Sequence, residues 1–321
     1  MKRLFITGAS GFIGLHLLHM FYGKGYYGSV LFHNNRPQGN KLFSFIKGDL
    51  QDVNSYKNHL VDTDVVLHLA ATTNDWASKK IHTRVNTEGT TRLFEQAIET
   101  GVRHFIFFSS LATVSSPLPT AVNEQSSYQE KLMCHYANSK IAAETNLINL
   151  SKGKKITLTI LRIGWVIGKG DAVLVKNLKE NIRRGLILLP ARNLTLPIIG
   201  IDRFSEIVAK LIDLKTNAGG LNILHAVDYT ITWDDLTRLA ADATDSQINI
   251  KHLRFALIWP ICVANYFLRQ WTGLSFSKKL VSPSALRLLA VRNRFESFHT
   301  NRIVGMTSAP PLCDLIKESF S

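Results

Sequence analysis

Cysteine pairs, carboxylates and long apolar runs are all scarce in this chain. The three cysteines, Cys134, Cys262 and Cys313, are far apart, odd in number and form no Cys-x-x-Cys pair. A disulfide framework and a structural zinc site are therefore excluded, and no metal centre is expected. No uncharged apolar run reaches the ~18 residues of a spanning helix. The opening Met-Lys-Arg leads into Leu4-Phe5-Ile6, too short for a signal peptide before glycines intervene. These absences read as a cytoplasmic chain with reduced thiols. Internal repeats and low-complexity tracts are also missing, which argues against long disordered stretches.

Acidic residues number 24 against 38 Lys and Arg, a net charge of +14. The imbalance sits mostly in the second half: residues 1–150 carry 14 Lys/Arg against 11 Asp/Glu, and residues 151–321 carry 24 against 13. Such a field favours anionic partners, including phosphorylated substrates and anionic lipid. The cations are not interleaved with aromatic residues, so specific nucleic-acid binding is not expected.

What is present is a globular composition, 45% apolar and 19% charged, enough for a full core. Short apolar runs at Leu4–Thr7, Val30–His33, Phe43–Lys47, Val65–Leu69, Phe105–Ser109 and Thr157–Arg162 read as strands. Between them, Gly14–Tyr22, Thr87–Thr100 and His135–Leu150 have helical periodicity. This alternation predicts an α/β fold, a Rossmann doubly wound parallel sheet, with ligands at the carboxyl ends of the strands. The expected division is a dinucleotide-binding domain over 1–164, with a return segment near 194–226. A smaller, mainly C-terminal substrate-binding domain follows over 165–321. In that half, Val173–Arg184, Arg203–Leu214 and the segment opened by Thr232 as N-cap read as helices. Leu194–Ile201 and Leu221–His225 read as strands. Phe255–Leu268, interrupted by Pro260 and flanked by Arg254 and Arg269, reads as a buried or half-buried helix. Its alternatives are a helix resting on a membrane surface or a lid over the substrate pocket.

Three motifs carry chemistry. After the first strand, Thr7-Gly8-Ala9-Ser10-Gly11-Phe12-Ile13-Gly14 has the G-x-x-G-x-x-G spacing and opens a helix. Glycines there let the backbone approach a pyrophosphate, and the helix N-terminus offers free N–H groups. The second strand ends in His33-Asn34-Asn35-Arg36-Pro37 without a carboxylate to bind a ribose 2′-hydroxyl. Asn34 suits either ribose form and Arg36 suits a 2′-phosphate, so the reading is NADP or NAD, leaning to NADP. Tyr136 and Lys140, at i and i+4 on a predicted helix, share one face. A neighbouring ammonium and a positive nicotinamide favour the phenolate that a general base requires. Some 26 residues upstream of Tyr136, Ser109-Ser110 ends a strand in the ligand crevice.

Together with Gly48-Asp49-Leu50, His68-Leu69-Ala70-Ala71 and Asn86-Thr87-Glu88-Gly89-Thr90, these motifs resemble the ordered signature of the extended short-chain dehydrogenases/reductases, the NAD-dependent epimerase/dehydratase superfamily. Asp75-Trp76 with the Asn86 run, and Leu161 to Gly168, resemble the 3β-hydroxysteroid dehydrogenase-like branch. The resemblance implies that Asp49 and Leu50 face the adenine, that Leu69, Ala70 and Ala71 line the cofactor, and that Asn86 steadies the site. It makes Ser110, Tyr136 and Lys140 the catalytic triad and places Ile163 at the nicotinamide. Registering on Ala112-Thr113-Val114 instead would put Leu111 at the serine position. The family also implies a homodimer through the helix that carries Tyr136 and Lys140.

Three functions compete. The first is an NAD(P)-dependent oxidoreductase moving hydride to or from an alcohol or ketone carbon of a bulky, hydrophobic or anionic small molecule. The second is a nucleotide-sugar epimerase or dehydratase with tightly bound NAD, in which Lys176, Lys179, Arg183, Arg184 and Arg192 meet a pyrophosphate. The third is a cofactor-binding regulatory protein without turnover.

Overall fold

The computed structural model describes residues 2–39, 41–214, 218–272, 281–306 and 308–320. The chain begins β1 (Arg3–Thr7), α1 (Phe12–Lys24), β2 (Tyr27–Phe32), β3 (Phe43–Lys47), β4 (Val65–His68), α2 (Lys79–His82), α3 (Thr90–Glu99) and β5 (His104–Ser110). It continues through β6 (Ala121–Val122), α4 (His135–Ser151), β7 (Thr157–Ile163), β8 (Trp165–Ile167), α5 (Leu174–Arg183), β9 (Leu186–Leu189), β10 (Thr195–Gly200) and α6 (Ile201–Asp213). It ends with β11 (Leu221–Ala226), β12 (Tyr229–Thr232), α7 (Trp233–Ala243), β13 (Asn249–His252), α8 (Phe255–Thr272), α9 (Pro283–Leu289), β14 (Arg294–Phe295), α10 (Phe298–Val304) and α11 (Leu312–Phe320).

Seven strands form one sheet in the order β11-β7-β5-β4-β1-β2-β3, every pairing parallel. A parallel sheet needs both faces covered, so its strands are apolar on both sides. On β1, Leu4 and Ile6 join the core beneath α1 and α6, while Phe5 joins the core beneath α3 and α4. On β5, Ile106 and Phe108 take the first face and Phe105 and Phe107 the second. This is the doubly wound architecture expected from the alternating runs. The chain order reverses between β1 and β4, the switch point at which such sheets bind ligands.

The return to the sheet is narrower than the sequence reading. β11 pairs with β7, but β10 leaves the large sheet and lies between β8 and β12 in a three-stranded one. β10 carries Leu196 and Ile198 into a second core with Leu178, Trp233, Leu236 and Ile316. Two short parallel pairs, β9 with β13 and β6 with β14, stitch the remaining segments together. α8 is half-buried: Cys262, Asn265 and Tyr266 face inward, and none of its residues lines the main cavity, so it is not a lid over it. Part of the segment that follows α8 lies outside the described residues.

A buried ion pair joins α4 to the sheet. Arg162 on β7 donates to both carboxylate oxygens of Glu144 on α4, from Nη2 at 2.8 Å and from Nε at 3.1 and 3.3 Å. The side chains are 3% and 0% exposed, and Ser109 donates to the same carboxylate. Removing one partner leaves a buried charge uncompensated, so Glu144→Ala is expected to cost ~3–5 kcal/mol in denaturant unfolding.

Three further groups set the response to acid. Burial lowers His68 from 6.5 to about 3 and His104 and His225 to about 4. The unfolded chain takes up protons below pH 6.5 that these three rings refuse, so their contribution is intact above that pH and is lost as pH falls. Unfolding free energy is expected to drop between pH 6.5 and 4.5, by up to ~1.4 kcal/mol per pH unit for each ring. A stability flat across that range would contradict the assignment.

Candidate active site

A cavity of about 1170 Å³ runs along the carboxyl ends of β1, β4, β5 and β7. Its floor at one end is the glycine turn. Gly8 has φ +76°, and a Cβ there would sit 2.5 Å from the backbone nitrogen of Ala70. The β1 and β4 loops thus meet at van der Waals contact across the switch point. A Cβ on Gly14 would lie 2.5 Å from both Gly8 O and Ala9 Cα, so α1 starts flush against the turn. Gly11, the N-cap of α1, supplies no side chain, and the first turn holds no acid. Gly8, Gly11, Phe12, Ile13 and Gly14 all line the cavity. Their helix end presents orphan N–H groups and a positive dipole to whatever lies there.

Hydrogen bonds lock the β1 and β4 loops together. Thr7 Oγ1 accepts from Ala70 N at 3.2 Å and lies 2.7 Å from His68 Nδ1, while His68 Nε2 lies 2.8 Å from Thr90 Oγ1. Burial, with Lys140 nearby, keeps His68 neutral. The ring therefore accepts on one side and donates on the other, fixing Leu69, Ala70 and Ala71 in the cavity wall.

Asp49 and Leu50 line the cavity beyond β3. Asp49 accepts from Gln51 N at 3.0 Å and stands 3.7 Å from His33 Nε2. Asn34 and Arg36 do not line it: both are exposed, and the Arg36 guanidinium stacks 5.2 Å from the Phe45 ring centroid. The chain turns outward after β2, and a cation beside an aromatic face has a local partner there. The part given to Arg36 from sequence is thus not supported by its position. Asn86 also differs. It is fully buried and absent from the wall, accepting from Thr72 N at 2.8 Å and donating to Thr72 O and Ser139 Oγ, each at 3.0 Å. It ties the loop after Ala71 to α4, and a widened π turn over Thr83–Gly89 aims it there.

Ser110, Tyr136 and Lys140 converge on the cavity. The two adjacent serines separate cleanly. Ser109 is buried and committed to Glu144, whereas Ser110 faces the cavity, accepts from Ala112 N at 3.1 Å and hydrogen-bonds Tyr136. Leu111 is buried in the turn that follows. Burial raises the Tyr136 phenol to about 12, with Ser110 pulling it back and Cys134 and Asp75 adding to the rise. Lys140 does not touch that phenol. Its Nζ donates to Phe108 O at 2.8 Å and lies 4.5 Å from the Phe107 ring centroid. Burial lowers Lys140 to about 7, and Glu144 one turn on resists the fall. Ile163 lines the cavity from the end of β7.

The far end of the cavity was not read from sequence. Trp165, Thr195, Pro197, Leu288, Val291 and Phe295 wall it. They come from β8, β10, α9, β14 and, for Val291, the loop between the last two, with no local spacing that marks them. Asp75 also lines the wall; burial raises its pKa, and Ser284 donates to it at 3.3 Å. Among the described residues, Arg84 and Lys140 are the lysines and arginines in the wall. Lys176, Lys179, Arg183, Arg184 and Arg192 are not part of it.

The chain is similar to proteins of known activity. It is 28% identical over 260 residues to the UDP-glucose 4-epimerase of Vibrio cholerae, covering 76% of each chain. It is 28% identical over 199 residues to the decarboxylating sterol-4-alpha-carboxylate 3-dehydrogenase of Candida albicans, a match spanning 58% of this chain and 56% of that one. In three dimensions it resembles MoeE5 in complex with UDP-glucuronic acid and NAD, with a TM-score of 0.78 at 17% identity, over 99% of this chain and 97% of the other. The family model described as the NAD dependent epimerase/dehydratase family matches residues 4–195, which hold both the glycine turn and the Tyr136–Lys140 pair, and the chain belongs to that family.

Proposed function

We propose that the protein is an NAD(P)-dependent oxidoreductase that moves hydride to or from an alcohol or ketone carbon of a bulky, largely apolar substrate. The observation that carries this is the single cavity shared by the glycine turn, the Ser110–Tyr136 pair and an apolar far wall. The residues fit a dinucleotide: the glycine turn leaves room for a pyrophosphate beside orphan N–H groups, Asp49 and Leu50 stand where an adenosine would end, and Ile163 borders the nicotinamide end. Bound there, the nicotinamide supplies the hydride acceptor or donor. Tyr136 takes the alcohol proton, or returns it to the ketone oxygen. Ser110 donates to that same oxygen and orients it. Lys140 would supply positive charge near the pair and would hold the nicotinamide ribose.

The nucleotide-sugar epimerase reading remains the alternative, supported by the Vibrio cholerae relative. Against it stands the wall. The second-half cations that would meet a pyrophosphate lie outside the cavity, and Leu288, Val291 and Phe295 face the substrate end. We favour NAD over NADP, because Arg36 is exposed, stacks on Phe45 and does not line the cavity. A regulatory role without turnover fits poorly with a serine, a tyrosine and a lysine converging on one cavity.

Tyr136→Phe is expected to lower turnover by ~10²–10⁴ while leaving NADH affinity within about twofold, measured by fluorescence titration. Because the phenol is held up to about 12 by burial, wild-type alcohol oxidation should rise with pH through the neutral and alkaline range, with ketone reduction favoured at the acid end. Full activity in the variant would end the assignment. Denatured protein should also release little nucleotide, and NADH should bind at least ~10-fold tighter than NADPH. Stoichiometric NAD(H) release would favour the epimerase, and tighter NADPH binding abolished by Arg36→Ala would restore the part first given to Arg36.

A further inference from the structure

We infer that α8 is an interfacial helix that seats the protein on an anionic phospholipid surface. The outward face of α8 is a continuous apolar stripe. Leu257, Ile261, Phe267 and Trp271 are 65, 50, 43 and 82% exposed, and exposed Pro260 and Ala264 fill the positions between them. The three-to-four-residue spacing keeps all of them on one side of a helix, over a length of ~21 Å. Soluble proteins rarely leave such a stripe uncovered. The opposite face is fixed to the molecule. Tyr266 stacks on Trp76 with ring centroids 6.3 Å apart, Gln270 donates to Trp76 O at 3.0 Å, and the Arg269 guanidinium lies 4.4 Å over the Trp76 ring. Arg287 of α9 sits 4.3 Å over Trp259.

Charge selects the occupant. Between Asp245 and Glu296 the sequence has no Asp or Glu and eight Lys or Arg, among them Lys251 and Arg254 just ahead of the helix. A second copy of this chain would bring the same cationic rim, and +14 against +14 opposes that pairing. An anionic bilayer meets both features, taking the aromatic and aliphatic stripe into the headgroup boundary and exposed Lys251 and Arg254 against its phosphates. Among the described residues no helix is long and apolar enough to cross a membrane, so α8 lies on the surface instead of spanning it. Through Trp76, next to Asp75, and through α9, which carries Leu288, the helix is braced against the substrate end of the cavity.

Flotation of the purified full chain with vesicles tests this without reference to turnover, so its failure is separate from failure of the hydride-transfer reading. Wild type should float with phosphatidylcholine–phosphatidylglycerol vesicles and bind pure phosphatidylcholine at least ~10-fold more weakly. The triple variant Leu257→Ser, Phe267→Ser, Trp271→Ser should lose at least ~10-fold in affinity for the mixed vesicles while keeping its thermal midpoint and NADH binding. Absence of flotation, or equal flotation of the variant, overturns the inference. So does a wild-type dimer that the variant converts to monomer while vesicles stay unbound, because α8 would then be a contact between copies.

Discussion

The position of the reacting groups depends on the Glu144–Arg162 pair. Tyr136, Lys140 and Glu144 follow one another at four-residue intervals along α4, so they form a single stripe facing the sheet. Two of them project a polar end towards the cavity, while Ala143 and Leu147 of the same helix pack into the core against the sheet. Glu144 supplies the anchor by clasping Arg162 on β7 and receiving Ser109 from β5. Ser109, which also borders the cavity, is thereby engaged by the carboxylate, and Ser110, on the other side of the strand, is left beside Tyr136. One buried carboxylate thus fixes which serine serves the site, how far α4 sits from the sheet, and the charge felt by Lys140.

A second constraint acts at the other end of the cavity. The glycine turn and the β4 loop are in backbone contact at Gly8 and Ala70, and Thr7, His68 and Thr90 tie them with hydrogen bonds that need a neutral ring. Burial keeps the ring neutral. The two loops therefore act as one rigid rim, and Asn86 extends that rim to α4 through Thr72 and Ser139.

Much of this was legible in the sequence because it is local. Strand runs such as Phe105–Ser109 are buried on both faces, the glycine spacing sits at one turn, and Thr232 caps α7 by accepting from Asp235 N as its spacing implied. What the sequence hid is non-local. Leu194–Ile201 has the composition of a sheet strand, and nothing in it says which sheet; Gly164 and the β8 segment draw β10 away from the large one. Arg36 has the charge for a phosphate, but its direction follows from the outward turn after β2 and from Phe45, nine residues on. Asn86 carries a family motif, yet only the π turn reveals that it braces two loops instead of touching a ligand. The far wall, from Trp165 to Phe295, is assembled from four separate segments and leaves no motif.

That last feature has an architectural consequence. Ser110, Tyr136 and Lys140 lie on β5 and α4, inside the large sheet and its two cores. The groups that face the far end of the cavity lie on small strands, a short helix and the loop after it, and two of them, Val291 and Phe295, pack in one cluster with Leu111, next to Ser110. The cavity thus joins an inner end set in the large sheet to an outer end assembled from segments far apart in the chain.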